Sequence, residues 1–130
     1  GKASHLFKAG NHGSTYGGTP LACRAALAVV QLLQQGAIDN AAVMGARMIN
    51  AFQETLGDLG VKVTGHGLMI GLHLPKPCAE LVGKARDQEK LLLNVTADNV
   101  VRLLPALIVT AEEADEIVQR VSRLVRNFLS

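Results

Sequence analysis

Apolar residues fill the chain from Leu21 to Leu33, with only Arg24 and Gln31 interrupting them. Thr19 and Pro20 stand just ahead. A threonine there can cap a helix, and a proline at the first helical position gives up an N–H that would be unpaired anyway. The run therefore predicts a helix buried on most sides, ended by Gly36. A second helix is predicted from Asp39 or Asn40 to about Leu59. Gly45, Ile49, Phe52, Leu56 and Leu59 fall near one stripe of it, and Gly60 stops it.

The period then changes from helical to alternating. Val61-Lys62-Val63 reads as a short strand and Gly65-His66-Gly67 as a tight bend. From Leu68 to Leu74 the side chains alternate, with Leu68, Ile70, Leu72 and Leu74 on one face and Met69, Gly71 and His73 on the other. Pro75 and Pro77 end that strand. Cys78, Leu81, Val82 and Ala85 keep helical spacing, so a third helix is predicted over 78–89. Leu91 to Val95 reads as a strand, and Ala97-Asp98-Asn99 as a turn. Val100 to Leu104 is its antiparallel partner, closed by Pro105. Thr110 and Glu113 have the spacing of a capping box. Behind them Ala114, Ile117, Val118, Val121, Leu124, Val125 and Phe128 make one apolar stripe. Acids lead and arginines trail along this last helix, which suits its dipole. The sum is an α+β arrangement: a small three- to four-stranded, mostly antiparallel sheet with helices on one face, preceded by a loop and a long helix. Residues 1–11 show no period and read as an extended lead-in.

Composition adds bounds. A chain of 130 residues, 48% hydrophobic, fills one compact domain. With no Trp, one Tyr and three Phe, its core must be aliphatic. The 13 basic and 11 acidic residues are scattered, which argues against a nucleic-acid surface. No uninterrupted apolar run reaches the ~18 residues of a membrane span. Cys23 and Cys78 make no disulfide framework, which favours a reducing cytoplasm, and Cys23 reads as a small core residue. No set of His, Cys, Asp and Glu has metal-ligand spacing.

The chemistry gathers in His12-Gly13-Ser14-Thr15-Tyr16-Gly17-Gly18-Thr19-Pro20, a loop of glycines and hydroxyls that leads into the first helix. Such a loop suits an anion, above all a phosphate. The plainer reading is a glycine-rich turn. A nucleotide P-loop is excluded by the missing G-K-[S/T] lysine. His12 is expected to position the loop by hydrogen bonding, and His66 and His73 to be turn and sheet-surface residues. Arg102 has two readings, a strand arginine with its head in solvent or a ligand-binding group. Glu112, Glu113, Asp115 and Glu116 read as a solvated helix start.

The same loop closely resembles the HGST(F/Y)GGNPLAC segment of the class III, ornithine-type, pyridoxal-phosphate aminotransferases, matching it through Cys23. Gly65-His66-Gly67-Leu68-Met69-Ile70-Gly71 is similar to the family's G-x-G-L-M-I-G. Asn94-Val95-Thr96 and Val100-Val101-Arg102-Leu103-Leu104-Pro105 follow in the family's order. The resemblance covers essentially the whole chain. It implies the C-terminal part of a fold type I aminotransferase: residues 1–19 the tail of the large cofactor-binding domain, residues 20–130 the small C-terminal domain. It implies pyridoxal 5'-phosphate as cofactor, with Thr15 on the phosphate of the neighbouring subunit in a homodimer. Ser14 is implied to lie beside the substrate, and Arg102 to bind the carboxylate of an acidic substrate. The implied substrates are N-acetylornithine and 2-oxoglutarate or glutamate, with no nucleic acid and no membrane. Succinylornithine, ornithine and 4-aminobutyrate are alternative donors.

The chain also departs from the pattern. Thr19 replaces the usual Asn, Thr64 stands where many relatives have Arg, and Ala106 replaces a common second proline. Gln88-Glu89-Lys90 lies where a glycine is usual. The lysines at 2, 8, 62, 76, 84 and 90 sit in contexts unlike the family's cofactor-binding lysine, which lies upstream. The resemblance therefore implies no catalytic residue in this chain, which is expected to be inactive alone. A stand-alone interaction or dimerisation domain without catalysis is the competing reading.

Overall fold

The computed structural model describes residues 5–8 and 10–130, so residues 1–4 and 9 of the lead-in lie outside the described residues. The chain divides into two compact units, Gly1–Gln35 and Gly36–Ser130.

In the first unit, Asn11 closes a small turn: its N–H donates to the Lys8 carbonyl, and its side-chain oxygen accepts from the Lys8 N–H. Helix α1 runs from Pro20 to Leu32 with Thr19 as its cap and Pro20 in its first turn. No residue of α1 is buried, and Cys23 is exposed. The expectations of a buried helix and a core cysteine are thus corrected. The helix is apolar nearly all round, but no second layer surrounds it within its unit.

Gly36 does not end the helix as expected. It takes φ +114° inside a π-helical turn, Leu33–Ala37, and helical structure continues to Leu59. A glycine can adopt that φ without steric cost, so the chain passes through a wide turn instead of stopping. By length and composition the combined stretch could cross a membrane, which the absence of an uninterrupted apolar run of ~18 residues had argued against. From Ile38 onward, however, its apolar side is buried in a protein core.

That second part is α2, Ile38–Leu56, finished by a 3₁₀ turn to Leu59 and by Gly60 at φ +72°. Its buried face is Ala41, Gly45, Met48, Phe52 and Leu56, so Met48 takes the central place expected of Ile49, which is only partly buried. The sheet has the order β1-β2-β4-β3, antiparallel throughout. Strand β1 is Lys62–His66, β2 Met69–His73, β3 Asn94–Thr96 and β4 Val100–Leu103. Strand β1 runs past the bend expected at Gly65, because the hairpin register pairs His66 with Met69 and leaves only Gly67 and Leu68 to turn. Strand β3 is shorter than expected, since Leu91–Leu93 have no strand partner.

Between β2 and β3 lies α3, Leu81–Lys84, continued by a second π-helical turn, Ala85–Glu89. Val82, expected inside, is 44% exposed. The capping box at Thr110 and Glu113 is formed as expected, and it starts α4, Ala111–Leu129. The core is one cluster: Ile70, Leu72, Val101 and Leu103 from one face of the sheet, with Met48, Phe52 and Leu56 of α2 and Val118, Val121, Leu124 and Val125 of α4. It is aliphatic apart from Phe52, as the composition required.

Polar links orient the helices. Arg47 of α2 donates to both carboxylate oxygens of Asp115 on α4, and Arg126 donates to Asp58 and to the Thr55 carbonyl. The second π turn is tied to α4 by Glu89, which accepts from the Arg123 guanidinium while its carbonyl accepts from Arg120. Glu89 is 9% exposed, and the hydrogen bond from Arg123 holds its carboxyl below the ordinary glutamate range, against the opposing effect of burial. A depressed folded pKa contributes stability above the unfolded glutamate pKa, and that stability is lost as pH falls through the folded value. We expect Glu89→Gln to lower the melting temperature by roughly 5 °C at pH 7, with the gap to the parent closing in strong acid. Parallel thermal scans across pH check this, and a gap independent of pH would contradict it.

Candidate functional site

The first candidate is the loop 12–19. Ser14 sets its shape by accepting from the Gly17 N–H at 3.0 Å. Thr19 donates its hydroxyl to the Tyr16 carbonyl and caps Ala22. A Cβ on Gly17 would lie 2.9 Å from the Ser14 Cβ, so this turn has room only for glycine. Among the described residues the Thr15 hydroxyl and N–H enter no internal hydrogen bond. His12, expected to hold the loop by hydrogen bonding, instead stacks at 5.6 Å from the Phe7 ring in a tilted arrangement. The sequence places no acid before Asp39, so the loop and α1 offer donors and basic groups without a repelling carboxylate. This donor set fits a phosphate.

The second candidate is the sheet face turned away from the core, in the other unit. On β4, Val101 and Leu103 point into the core and Arg102 points out. Arg102 pairs in register with Gly71 of β2 and Asn94 of β3, and Gly71 pairs with Thr64 of β1. Thr64, Gly71, Arg102 and Asn94 therefore form one row across the four strands. None of the ion pairs among the described residues involves Arg102. An exposed guanidinium without a carboxylate partner is compatible with both readings, a head in solvent and a group available to an anion. Arg102 lines a groove of about 350 Å³ together with Thr64, His73, Thr96 and Val100. The Thr64 hydroxyl and His73 Nε2 are 2.9 Å apart, a pairing that strand period alone did not reveal. His73 lies on the sheet surface as expected, whereas His66, expected in the turn, is the last residue of strand β1.

The remaining side chains have structural places. Lys76 Nζ lies 4.4 Å from the Phe128 ring centroid, Lys84 pairs with Glu80, and Lys90 donates to the Asp87 carbonyl. Lys2 lies outside the described residues. Glu113 caps, Asp115 meets Arg47, and Glu116 meets Arg120, so this helix start is structural as read. Cys78 is buried, and burial raises its thiol pKa. Among the described residues no group of His, Cys, Asp and Glu could hold a metal.

A four-stranded antiparallel sheet backed by helices, reached through a hydroxyl-bearing loop and a long helix, is the architecture of a portion of a fold type I aminotransferase. The ornithine aminotransferase of Toxoplasma gondii superposes with a TM-score of 0.84 at 26% identity, over 98% of this chain and 32% of that one. The acetylornithine aminotransferase of Elizabethkingia anophelis gives 0.78 at 28% identity, over 95% of this chain and 34% of that one. The chain belongs to the class III aminotransferase family, whose model matches residues 2–125. Enzymes of this family depend on pyridoxal phosphate. The acetylornithine aminotransferase of Nitrosomonas europaea is 47% identical over 99% of this chain and 33% of that one, and one from Bordetella parapertussis is 44% identical over all of this chain and 34% of that one. The chain spans about a third of the length of these relatives.

Proposed function

We propose that this chain is the C-terminal portion of an acetylornithine aminotransferase, which moves an amino group from N-acetylornithine to 2-oxoglutarate. The observation that carries this is the 42–47% identity to enzymes of that name. In this reading residues 1–19 close the large domain and residues 20–130 form the small one. The enzyme is a cytoplasmic homodimer that binds neither nucleic acid nor membrane. Pyridoxal phosphate, when bound, supplies the electron sink that lets an amino group leave one substrate and pass to another.

This chain's residues bind and orient. Thr15 gives its hydroxyl and N–H to the cofactor phosphate of the neighbouring subunit, and the tight Gly17 turn fixes where Ser14 stands beside the substrate. Arg102 takes a carboxylate of the acidic substrate through a bidentate, charge-assisted contact. The lysine that carries the cofactor comes from outside this chain, which is inactive alone. Ornithine is the second donor to weigh, because an ornithine aminotransferase superposes at a TM-score of 0.84.

The reading frame that holds this sequence, expressed whole and assayed on N-acetylornithine, succinylornithine, ornithine and 4-aminobutyrate, tests the proposal. Preference for the acetylated donor is expected. Preference for 4-aminobutyrate sinks the substrate assignment. A frame that encodes this chain alone, with no transaminase activity, favours the stand-alone interaction domain. In the active enzyme, Thr15→Ala is expected to weaken cofactor retention about tenfold, read as cofactor absorbance after dialysis. Unchanged retention removes Thr15 from the phosphate site.

A further inference from the structure

Ten lysines and arginines lie in the unit Gly36–Ser130, and eight of them are engaged. Arg47, Lys84, Arg86, Arg120, Arg123 and Arg126 each meet a carboxylate. Lys76 lies over the Phe128 ring, and Lys90 donates to the Asp87 carbonyl. The two that remain are Lys62 and Arg102, which enter no ion pair among the described residues. Both point out of the same side of the sheet. Arg102 stands opposite to Val101 and Leu103 on β4 and pairs with Gly71. Gly71 shares a face with Thr64, because a Cβ on it would lie 3.2 Å from the Thr64 hydroxyl. Lys62 is exposed and two residues before Thr64 on β1, so the pleat turns it to that face too.

No acid answers these two charges. None of the four strands contains an Asp or Glu, and all 11 acids of the chain lie in helices or turns. The one acid in a hairpin turn, Asp98, sits between β3 and β4, at the edge of the sheet farthest from β1. The groove of about 350 Å³ beside Arg102 is lined by no carboxylate. Two unpaired cations on such a face set up a positive field over it. Two strand spacings and an offset of two residues put their Cα atoms about 12 Å apart. That is close to the screening length of about 8–10 Å at moderate salt, so one small ligand over the groove feels both charges. The field acts on a ligand's net charge, not on its number of carboxylates. 2-Oxoglutarate carries two negative charges. N-Acetylornithine carries one carboxylate and one ammonium, and its net charge is zero.

We propose that Lys62 is a specificity-determining residue of the transamination: with Arg102 it makes a positive entrance that draws in the dianionic acid in preference to the net-neutral amino donor. This rests on the reading of Arg102 under Proposed function. Arg102 makes the contact with the carboxylate, and Lys62 acts at a distance through its charge. The competing role for Lys62 is that of an edge-strand lysine, which discourages pairing of β1 with a foreign strand and has no substrate preference.

Steady-state kinetics of the whole enzyme at low ionic strength separate the two roles. Lys62→Gln is expected to lower kcat/KM for 2-oxoglutarate about threefold and Lys62→Glu about tenfold, while kcat and kcat/KM for N-acetylornithine stay within about 1.5-fold. Lys62→Arg, which keeps the charge, is expected to retain the parent value. In about 0.5 M salt the losses should disappear. Lys90→Gln, which removes a charge from the π-helical turn tied to α4, should change neither substrate. An unchanged kcat/KM for 2-oxoglutarate in Lys62→Glu overturns the inference, as does an equal fall for both substrates or a loss that salt does not relieve. If Arg102→Leu nevertheless lowers that kcat/KM, the reading of Arg102 survives. If neither variant responds, the carboxylate site itself falls, and the inference with it.

Discussion

Gly45→Ala is expected to unfold the sheet-bearing unit or to lower its melting temperature by more than about 12 °C. On helix propensity alone the change should help, because alanine is favoured over glycine by about 1 kcal/mol inside a helix. The surroundings reverse that sign. A Cβ on Gly45 would stand 2.1 Å from the Gly67 carbonyl oxygen, 2.4 Å from its carbon and 2.8 Å from its Cα. All three are backbone atoms of the β1–β2 turn, so no side chain can swing aside. Either α2 lifts off the hairpin or the hairpin turn is rebuilt, and both open the layer where Met48 and Phe52 pack. Overpacking of this kind costs about 3 kcal/mol or more when backbone must move, and each kcal/mol lowers the melting temperature of a domain this size by about 4–8 °C. Gly83→Ala is the matched control: it lies in α3 with nothing within 4 Å of a new Cβ, and it should be neutral or stabilising by about 0.5–1 kcal/mol. Thermal denaturation of both variants checks the pair. A Gly45→Ala protein that melts with the parent would show that α2 and the turn do not approach so closely.

Arg102→Leu in the whole enzyme is the functional counterpart. It is expected to cut kcat/KM for 2-oxoglutarate by about 10²–10³ and to leave the melting temperature nearly unchanged. The first half follows from two charge-assisted hydrogen bonds to a carboxylate, each worth about 1.5–3 kcal/mol, with partial replacement by water. The second half follows from the structure. Arg102 points away from the core, and among the described residues it has no ion-pair partner to strand. Leucine is also at home on a strand, so folding loses little. Substrate kinetics with differential scanning fluorimetry separate the two effects. A large fall in melting temperature would mean that the arginine holds the sheet, and an unchanged kcat/KM would remove it from substrate binding.

Much of this molecule is legible in the order of its residues, because local physics writes it there. The alternation from Leu68 to Leu74 fixes which face of β2 is buried, and Leu68, Ile70, Leu72 and Leu74 are indeed 0–3% exposed. The capping box at Thr110 and the stripe behind it define α4. The loop around Ser14 and Thr15 gathers glycines, hydroxyls and a helix start within nine residues, the pattern on which the proposed phosphate site rests. Parity also tells that Arg102 points opposite to Val101 and Leu103. Errors came where a local signal competed with a longer-range one. Gly36 looks like a helix stop, yet a π-helical turn absorbs its positive φ and the helix goes on. Leu91–Leu93 look like a strand, yet they have nothing to pair with.

What only the tertiary structure decided is which distant residues meet. Thr64, Gly71, Arg102 and Asn94 form one row because three antiparallel registers bring them there, and a shift of one residue in any of them would turn the set to opposite faces. The acid-free groove, the Thr64–His73 bond and the approach of Gly45 to Gly67 all depend on that registration. Side-chain period and capping act over three or four residues and can be read from the sequence. Register and helix-to-turn distance are set by how the whole core packs, where each contact depends on every other, and so they appear only once the chain has folded.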